Sequence, residues 1–293
     1  MTLFKGAGVA LVTPFSEGQV DYQRLSGLLD WQVSSGIDSI ISCGTTGEAS
    51  TLNDDEHINT VKFTVETVKK KVPVIAGAGS NDTAHAIYMA QALEDVGADG
   101  LLVVTPYYNK CTQKGLIKHY EKIADSVNVP IILYSVASRT GVNISPFSVK
   151  ELSQHPNISG IKEASGNMSQ VVEIARSVSD DFALYSGNDD MIVPLLSVGG
   201  IGAISTVANI IPKETSQMIH KYLQGHTAAA KKMQLAMKPL IDAMFIEVNP
   251  IPVKAALSMM EKIKPEYRMP LCEAENISLY EIMNELRAFG LIR

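Results

Sequence analysis

Ile158-Ser159-Gly160-Ile161-Lys162-Glu163-Ala164-Ser165-Gly166 sets a lysine at the end of an apolar run, with a Ser-Gly turn two residues after the glutamate. The run reads as a strand buried on both faces of a parallel sheet. Lysine is almost never fully buried without a partner, so Lys162 has two readings. One is a rim lysine salt-bridged to Glu163 or another acid, and structural ion pairs of that kind are common. The other is a desolvated amine that attacks a carbonyl and forms a Schiff base. The rest of the chain decides between them.

Outward from this stretch the same rhythm repeats. Strands are predicted at 8–14, 38–43, 72–77, 99–104, 130–134, 182–187 and 201–205, besides the Lys162 strand. Helices are predicted between them at 21–35, 54–71, 81–96, 112–126, 146–153, 168–178 and 190–197, with Gly36 as a stop and Asn81 as a cap. The joints 35–38, 96–99 and 198–201 resemble one another, each ending a helix on glycine before a buried strand. Eight such units by about residue 210 predict an α/β fold, a (β/α)₈ barrel, rather than an open doubly wound sheet. No Gly-x-Gly-x-x-Gly follows the first strand, which counts against a dinucleotide site. Helices predicted at 213–223, 226–245, 251–262 and 278–289 exceed what the eighth unit needs. They predict a barrel over 1–224 and a C-terminal helical bundle over 225–293, packed on it without a flexible linker.

Composition narrows the function. A formal charge of −6 offers no basic field for nucleic acid or an anionic membrane. No apolar run approaches a membrane span, and residues 1–6 lack the pattern of a signal peptide. Three scattered cysteines, Cys43, Cys111 and Cys272, read as reduced thiols of a cytoplasmic protein. The six histidines form no ligand-spaced pair, so no protein-held metal is expected.

In such a barrel the active site sits beyond the C-terminal ends of the strands. Those ends collect Gly44-Thr45-Thr46-Gly47-Glu48, Tyr107-Tyr108-Asn109, Tyr134, Arg139, Lys162, Gly187-Asn188-Asp189 and Ile204-Ser205. Singly, each has an ordinary explanation: a threonine in a turn, a tyrosine capping a strand, a solvated arginine in a short loop. Cys43 has no histidine near it in sequence and reads as packing. The Thr45-Thr46 loop lacks a following Gly-Lys-Ser/Thr, which rejects a nucleotide P-loop, and its N–H and hydroxyl groups suit a carboxylate. Asp189 and Asp190 make the seventh strand's exit acidic, where phosphate-binding barrels keep their anion site. One lysine, hydroxyl relays and an arginine on one face point to an imine-forming enzyme acting on carboxylates.

Four motifs carry a family resemblance: Gly44-Thr45-Thr46-Gly47-Glu48, Thr105-Pro106-Tyr107-Tyr108-Asn109, Arg139-Thr140-Gly141 and Ile161-Lys162-Glu163-Ala164-Ser165-Gly166. With the late Asn249-Pro250-Ile251-Pro252-Val253-Lys254 segment, the chain resembles the dihydrodipicolinate synthases (4-hydroxy-tetrahydrodipicolinate synthases) over essentially its whole length. The resemblance implies a lyase of lysine (diaminopimelate) biosynthesis that condenses pyruvate with L-aspartate-4-semialdehyde. It needs no cofactor beyond an imine between Lys162 and pyruvate. It implies Tyr134, Thr46 and Tyr108 as a hydroxyl relay, with Tyr108 reaching into a neighbouring subunit of a homotetramer built as a dimer of dimers. Thr45, Thr46, Arg139, Gly187 and Ile204 are the implied substrate contacts. It also implies a site for the end product lysine at Ala49, Ser50, Asp54, His57, Asn81, His85 and Tyr107. His85 stands where lysine-sensitive relatives have glutamate, so weak inhibition is expected unless Asp54 supplies the anion.

The family has Asn and Pro after the tyrosine where this chain has Ser135 and Ala137; without that proline the Arg139 loop loses a fixed φ. The alternatives are a sister aldolase, such as N-acetylneuraminate lyase or a 2-keto-3-deoxy sugar-acid aldolase, and a non-catalytic keto-acid sensor.

Overall fold

The predicted apolar runs become eight parallel strands in the computed structural model, which describes residues 2–293. They are β1 (Gly6–Ala10), β4 (Ser39–Ser42), β5 (Val74–Gly77), β6 (Gly100–Val104), β7 (Ile131–Ser135), β8 (Ile158–Glu163), β9 (Ala183–Ser186) and β10 (Gly202–Ser205). Each pairs with the next, and β10 pairs with β1 to close the barrel. A short antiparallel pair, β2 (Phe15–Ser16) and β3 (Gln19–Val20), follows β1. Two-residue strands carry too little periodicity to be read in advance.

Two apolar layers result from the alternation of side chains along each strand. Inside the barrel lie Phe4, Ile41, Ile75, Leu102, Ile132, Tyr185 and Ile204, with Tyr134 above them. Phe4, just before β1, stacks on Tyr185 at 4.5 Å and its carbonyl accepts the Tyr185 hydroxyl at 2.7 Å. That contact plugs the N-terminal end of the barrel. Outside, residues such as Val9, Ile40, Val103, Leu133 and Ile161 pack under the helices.

The helices are α1 (Tyr22–Ser34), α2 (Asp54–Val68), α3 (Thr83–Asp95), α4 (Gln113–Ala124), α5 (Ala137–Thr140), α6 (Pro146–Leu152), α7 (Met168–Ser177), α8 (Ile192–Leu196) and α9 (Pro212–Leu223). Caps set their starts: Asp21, Asn53, Thr112 and Ser145 each accept an N–H of the first turn. The cap of α3 is Asp82, one residue beyond the expected Asn81, whose carbonyl instead accepts from Asn109. Helix α1 ends at Gly36, whose φ of +85° suits glycine at a helix exit. Helix α9 packs on β1 as the eighth barrel helix; α10 (Thr227–Ala243), α11 (Ile251–Met259) and α12 (Asn276–Ala288) form the appended bundle. The turn from α9 to α10 falls at 224–226. Among the described residues no helix is long and apolar enough to cross a membrane.

Candidate active site

The register between β7 and β8 shifts by one residue at Ile131/Ile132, so that Tyr134 pairs with Lys162 and Ser135 with Glu163. Without the extra residue Tyr134 would face Ile161 instead. The shift brings the two side chains together: the Lys162 amine lies over the Tyr134 ring, 4.3 Å from its centroid, and both residues are buried. Among the described residues Lys162 enters no ion pair. Glu163 cannot serve it, because successive strand residues point to opposite faces. The rim salt bridge read as the ordinary explanation for Lys162 is therefore absent.

Space around the amine comes from Gly187, at the exit of β9. A Cβ there would stand 3.1 Å from the Lys162 Cε and 2.7 Å from the Ala164 methyl. Ile204 is fully buried in the same interior layer. Asp189, two residues past Gly187, is buried and accepts from the N–H groups of Thr206 and Val207 at 3.0 and 2.9 Å. Burial raises its carboxyl above the ordinary range, with those backbone bonds opposing.

A cavity of about 420 Å³ opens beside Tyr134, and Thr45, Tyr134, Val136 and Arg139 line it, whereas Lys162, Thr46, Gly187 and Ile204 do not. Thr46 is buried: its Oγ1 accepts from the Asn249 amide at 2.9 Å and lies 3.5 Å from the Thr206 hydroxyl. Arg139 sits on the single turn of α5 rather than in the short loop expected, and its Nη2 donates to the Asn249 carbonyl at 3.0 Å. Gly141 closes that turn at φ +70°. The Thr140 hydroxyl ties it to Thr105 at 2.8 Å, so the turn is held without proline.

Of the implied relay, one member stands apart. Tyr108 is 91% exposed on a loop where it and Lys110 both take positive φ, and the chain does not bring it to its own Tyr134. Six of the seven residues implied to bind lysine, Ala49, Ser50, Asp54, His57, His85 and Tyr107, line the same cavity as Thr45; Asn81 does not. Within it, Asp54 accepts from His85 Nε2 at 3.0 and 3.1 Å, and His85 Nδ1 lies 3.2 Å from the Ser80 hydroxyl. His57 is buried with Nε2 2.9 Å from the Gly77 carbonyl, and burial lowers its pKa to about 4. Cys43 is a buried packing residue whose thiol burial pushes up to about 12.

Several functional neighbours were not legible in advance. Behind the paired strands, on the face away from the cavity, Ser135 donates to Asn143 Oδ1 at 3.1 Å. Asn143 donates to Gln170 at 2.7 Å, and Gln170 donates to Glu163 at 2.8 Å. Burial raises the Glu163 carboxyl, partly offset by bonds from Ser165 and Gln170. Ser135 thus takes up a buried polar position that its neighbours satisfy. Glu48, at φ +54° directly after the Thr-Thr-Gly turn, pairs with the fully buried Lys254 at 2.5 Å. The Lys254 ammonium also lies 4.3 Å from the Phe15 ring centroid. Arg268 holds Glu56 through both of its Nη atoms, and its guanidinium carbon lies 4.3 Å from the Phe15 ring centroid. Nothing local announces these partners; the Lys254–Glu48 contact spans 206 residues.

A closed parallel barrel with a cavity at the C-terminal ends of its strands, and a buried lysine beside a tyrosine, defines a barrel enzyme of the aldolase kind. The chain matches the Dihydrodipicolinate synthetase family over residues 3–289. It is 52% identical to the 4-hydroxy-tetrahydrodipicolinate synthase of Clostridium novyi (strain NT) over 290 residues, covering 99% of this chain and 98% of that one. It is similar to the crystal structure of the Thermotoga maritima dihydrodipicolinate synthase, with a TM-score of 0.98 at 40% identity, over 99% and 100% of the two chains. Equally similar in sequence, at 40%, is the chloride-inhibited Acinetobacter baumannii enzyme complexed with pyruvate, with a TM-score of 0.97 over 99% and 100%. The chain belongs to the dihydrodipicolinate synthetase family.

Proposed function

We propose that this chain, a pyruvate-dependent lyase by its family, condenses pyruvate with L-aspartate-4-semialdehyde through an imine on Lys162. The amine attacks the ketone carbon, water leaves, and a protonated imine forms. Loss of a C3 proton gives an enamine, whose carbon attacks the aldehyde. The amino group of the second substrate then displaces Lys162 by cyclisation and frees the enzyme. Tyr134 shuttles the protons, with Thr46 and a second copy's Tyr108 completing its relay. Thr45 and Thr46 hold the pyruvate carboxylate, Arg139 the carboxylate of the aldehyde, and Gly187 and Ile204 border the substrate. The chemistry calls for no cofactor besides the imine. The working assembly is a homotetramer in which each Tyr108 serves a neighbour.

The observation that carries this reading is the buried Lys162 amine, outside any ion pair and in register with Tyr134, with Gly187 leaving room for the lysine side chain. Pyruvate followed by borohydride should inactivate the enzyme and add a reduced pyruvyl group to Lys162, seen by peptide mass analysis. Labelling at another lysine, or none, removes the imine from the reading.

A further inference from the structure

We propose that Glu48 and Lys254 are positioning residues for pyruvate: their buried ion pair holds Glu48 in a left-handed turn that fixes the peptide of Thr45. The inference rests on the reading of Thr45 as a contact of the pyruvate carboxylate. Thr45 lines the cavity beside Tyr134. Its carbonyl accepts the Glu48 N–H at 3.1 Å, as the Gly44 carbonyl accepts that of Gly47 at 3.0 Å. The backbone of Glu48 therefore closes the turn in which Thr45 stands.

That closure uses an uncommon conformation. Glu48 has φ +54° and ψ +36°, the left-handed region that favours glycine. Other residues persist there where their surroundings over-determine them, and such positions cluster at ligand sites. Here both carboxylate oxygens are engaged: Oε1 accepts the Lys254 ammonium at 2.5 Å, and Oε2 accepts the Arg268 N–H at 3.4 Å. Glu48 is 3% exposed and Lys254 fully buried. The ammonium is itself fixed against two rings, 4.3 Å from the centroid of Phe15 and 5.3 Å from that of Tyr267. An apolar pair of similar volume would hold the bundle to the barrel about as well. It would carry no direction, however, and direction is what keeps the backbone at 48 left-handed.

The test compares two double variants, Glu48→Ala with Lys254→Met and Glu48→Gly with Lys254→Met. Neither strands a charge, and glycine alone takes the left-handed turn without cost. The readout is the pyruvate concentration that half-saturates borohydride-trapped imine formation. It should rise roughly 10- to 100-fold in the alanine variant, the scale of a displaced substrate contact, and return most of the way in the glycine variant. The KM for the aldehyde at saturating pyruvate should move in neither, since Arg139 stands on a separate turn. A tie that serves only the fold would shift the urea midpoint of both and the half-saturation of neither. If the alanine variant does not fold, Glu48→Leu with Lys254→Met takes its place. Equal half-saturation in the two variants, at the wild-type level or above it, would overturn the inference. Thr45→Val separates the two readings. An unchanged half-saturation there would take the carboxylate off Thr45, and this inference would fall with it. A raised one, beside wild-type values in both double variants, would overturn the role of the pair alone.

Discussion

His85 donates Nε2 to Asp54, so the one carboxylate that could have faced a lysine ammonium in that part of the cavity is already engaged. Asp54 does not stand free to replace the glutamate of lysine-sensitive relatives. Free lysine should therefore inhibit weakly in an initial-rate assay at saturating pyruvate, titrated into the millimolar range. His85→Glu should strengthen inhibition by roughly 10- to 150-fold, the worth of a charge-assisted hydrogen bond of about 1.5–3 kcal/mol. Submillimolar inhibition of the unaltered enzyme would show that the ammonium displaces His85. His57, in the same cavity, sets a pH dependence. Its folded pKa of about 4 lies below the ordinary 6.5, so between those values the unfolded chain binds more protons. Stability should fall as pH drops from about 6.5 to about 4, by on the order of 3 kcal/mol from this residue. The raised carboxyls of Glu163 and Asp189 act in the opposite sense, since protonating them relieves a burial cost on the folded side. His57→Gln should flatten the acid limb of a denaturation-midpoint-against-pH curve; an unchanged slope would assign that limb to other groups.

At the scale of the element, α5 replaces the loose loop expected from the missing proline. Ala137 opens that turn, the helix position where proline is tolerated because its N–H is unneeded. Ala137→Pro should therefore leave activity intact and raise stability by about 0.4–1 kcal/mol, through a stiffer unfolded chain. A lowered unfolding temperature would mean that the backbone at 137 does not match proline. Among the described residues, the eight barrel strands and eleven of the twelve α-helices were legible because each has an apolar period, a cap or a glycine stop of its own. Helix α5 was not, being four residues long without a capping side chain. The register shift at Ile131/Ile132 was equally silent, since a parallel strand apolar on both faces carries no mark of which residue it pairs with. The site residues at strand ends could be collected from topology alone. Asn249 and Lys254 could not, because their partners Thr46 and Glu48 lie 203 and 206 residues away. The opposition of Lys162 and Glu163, by contrast, was available from strand alternation.

For the whole molecule, the appended bundle is tied to the barrel through charge as well as packing. Lys254 on α11 is fully buried against Glu48, and burial lowers its pKa while the Glu48 carboxylate opposes that shift. Removing one partner strands the other charge, so Lys254→Met or Glu48→Gln should cost about 3–5 kcal/mol in urea unfolding. Replacing both, with Glu48→Leu beside Lys254→Met, should recover much of that loss. A stable single variant would mean that water reaches the stranded group.

Tyr108 carries a different consequence. On the proposed relay, a tyrosine with 91% of its surface open to solvent would make each working site the property of two copies. Turnover per mole of chain should then depend on how much enzyme is in the tube: dilution below the association midpoint should lower it by mass action. Adding Lys162→Ala chains, inert by themselves but still carrying Tyr108, should bring it back. Constant turnover per chain through a range where sedimentation shows single chains would mean that one copy suffices.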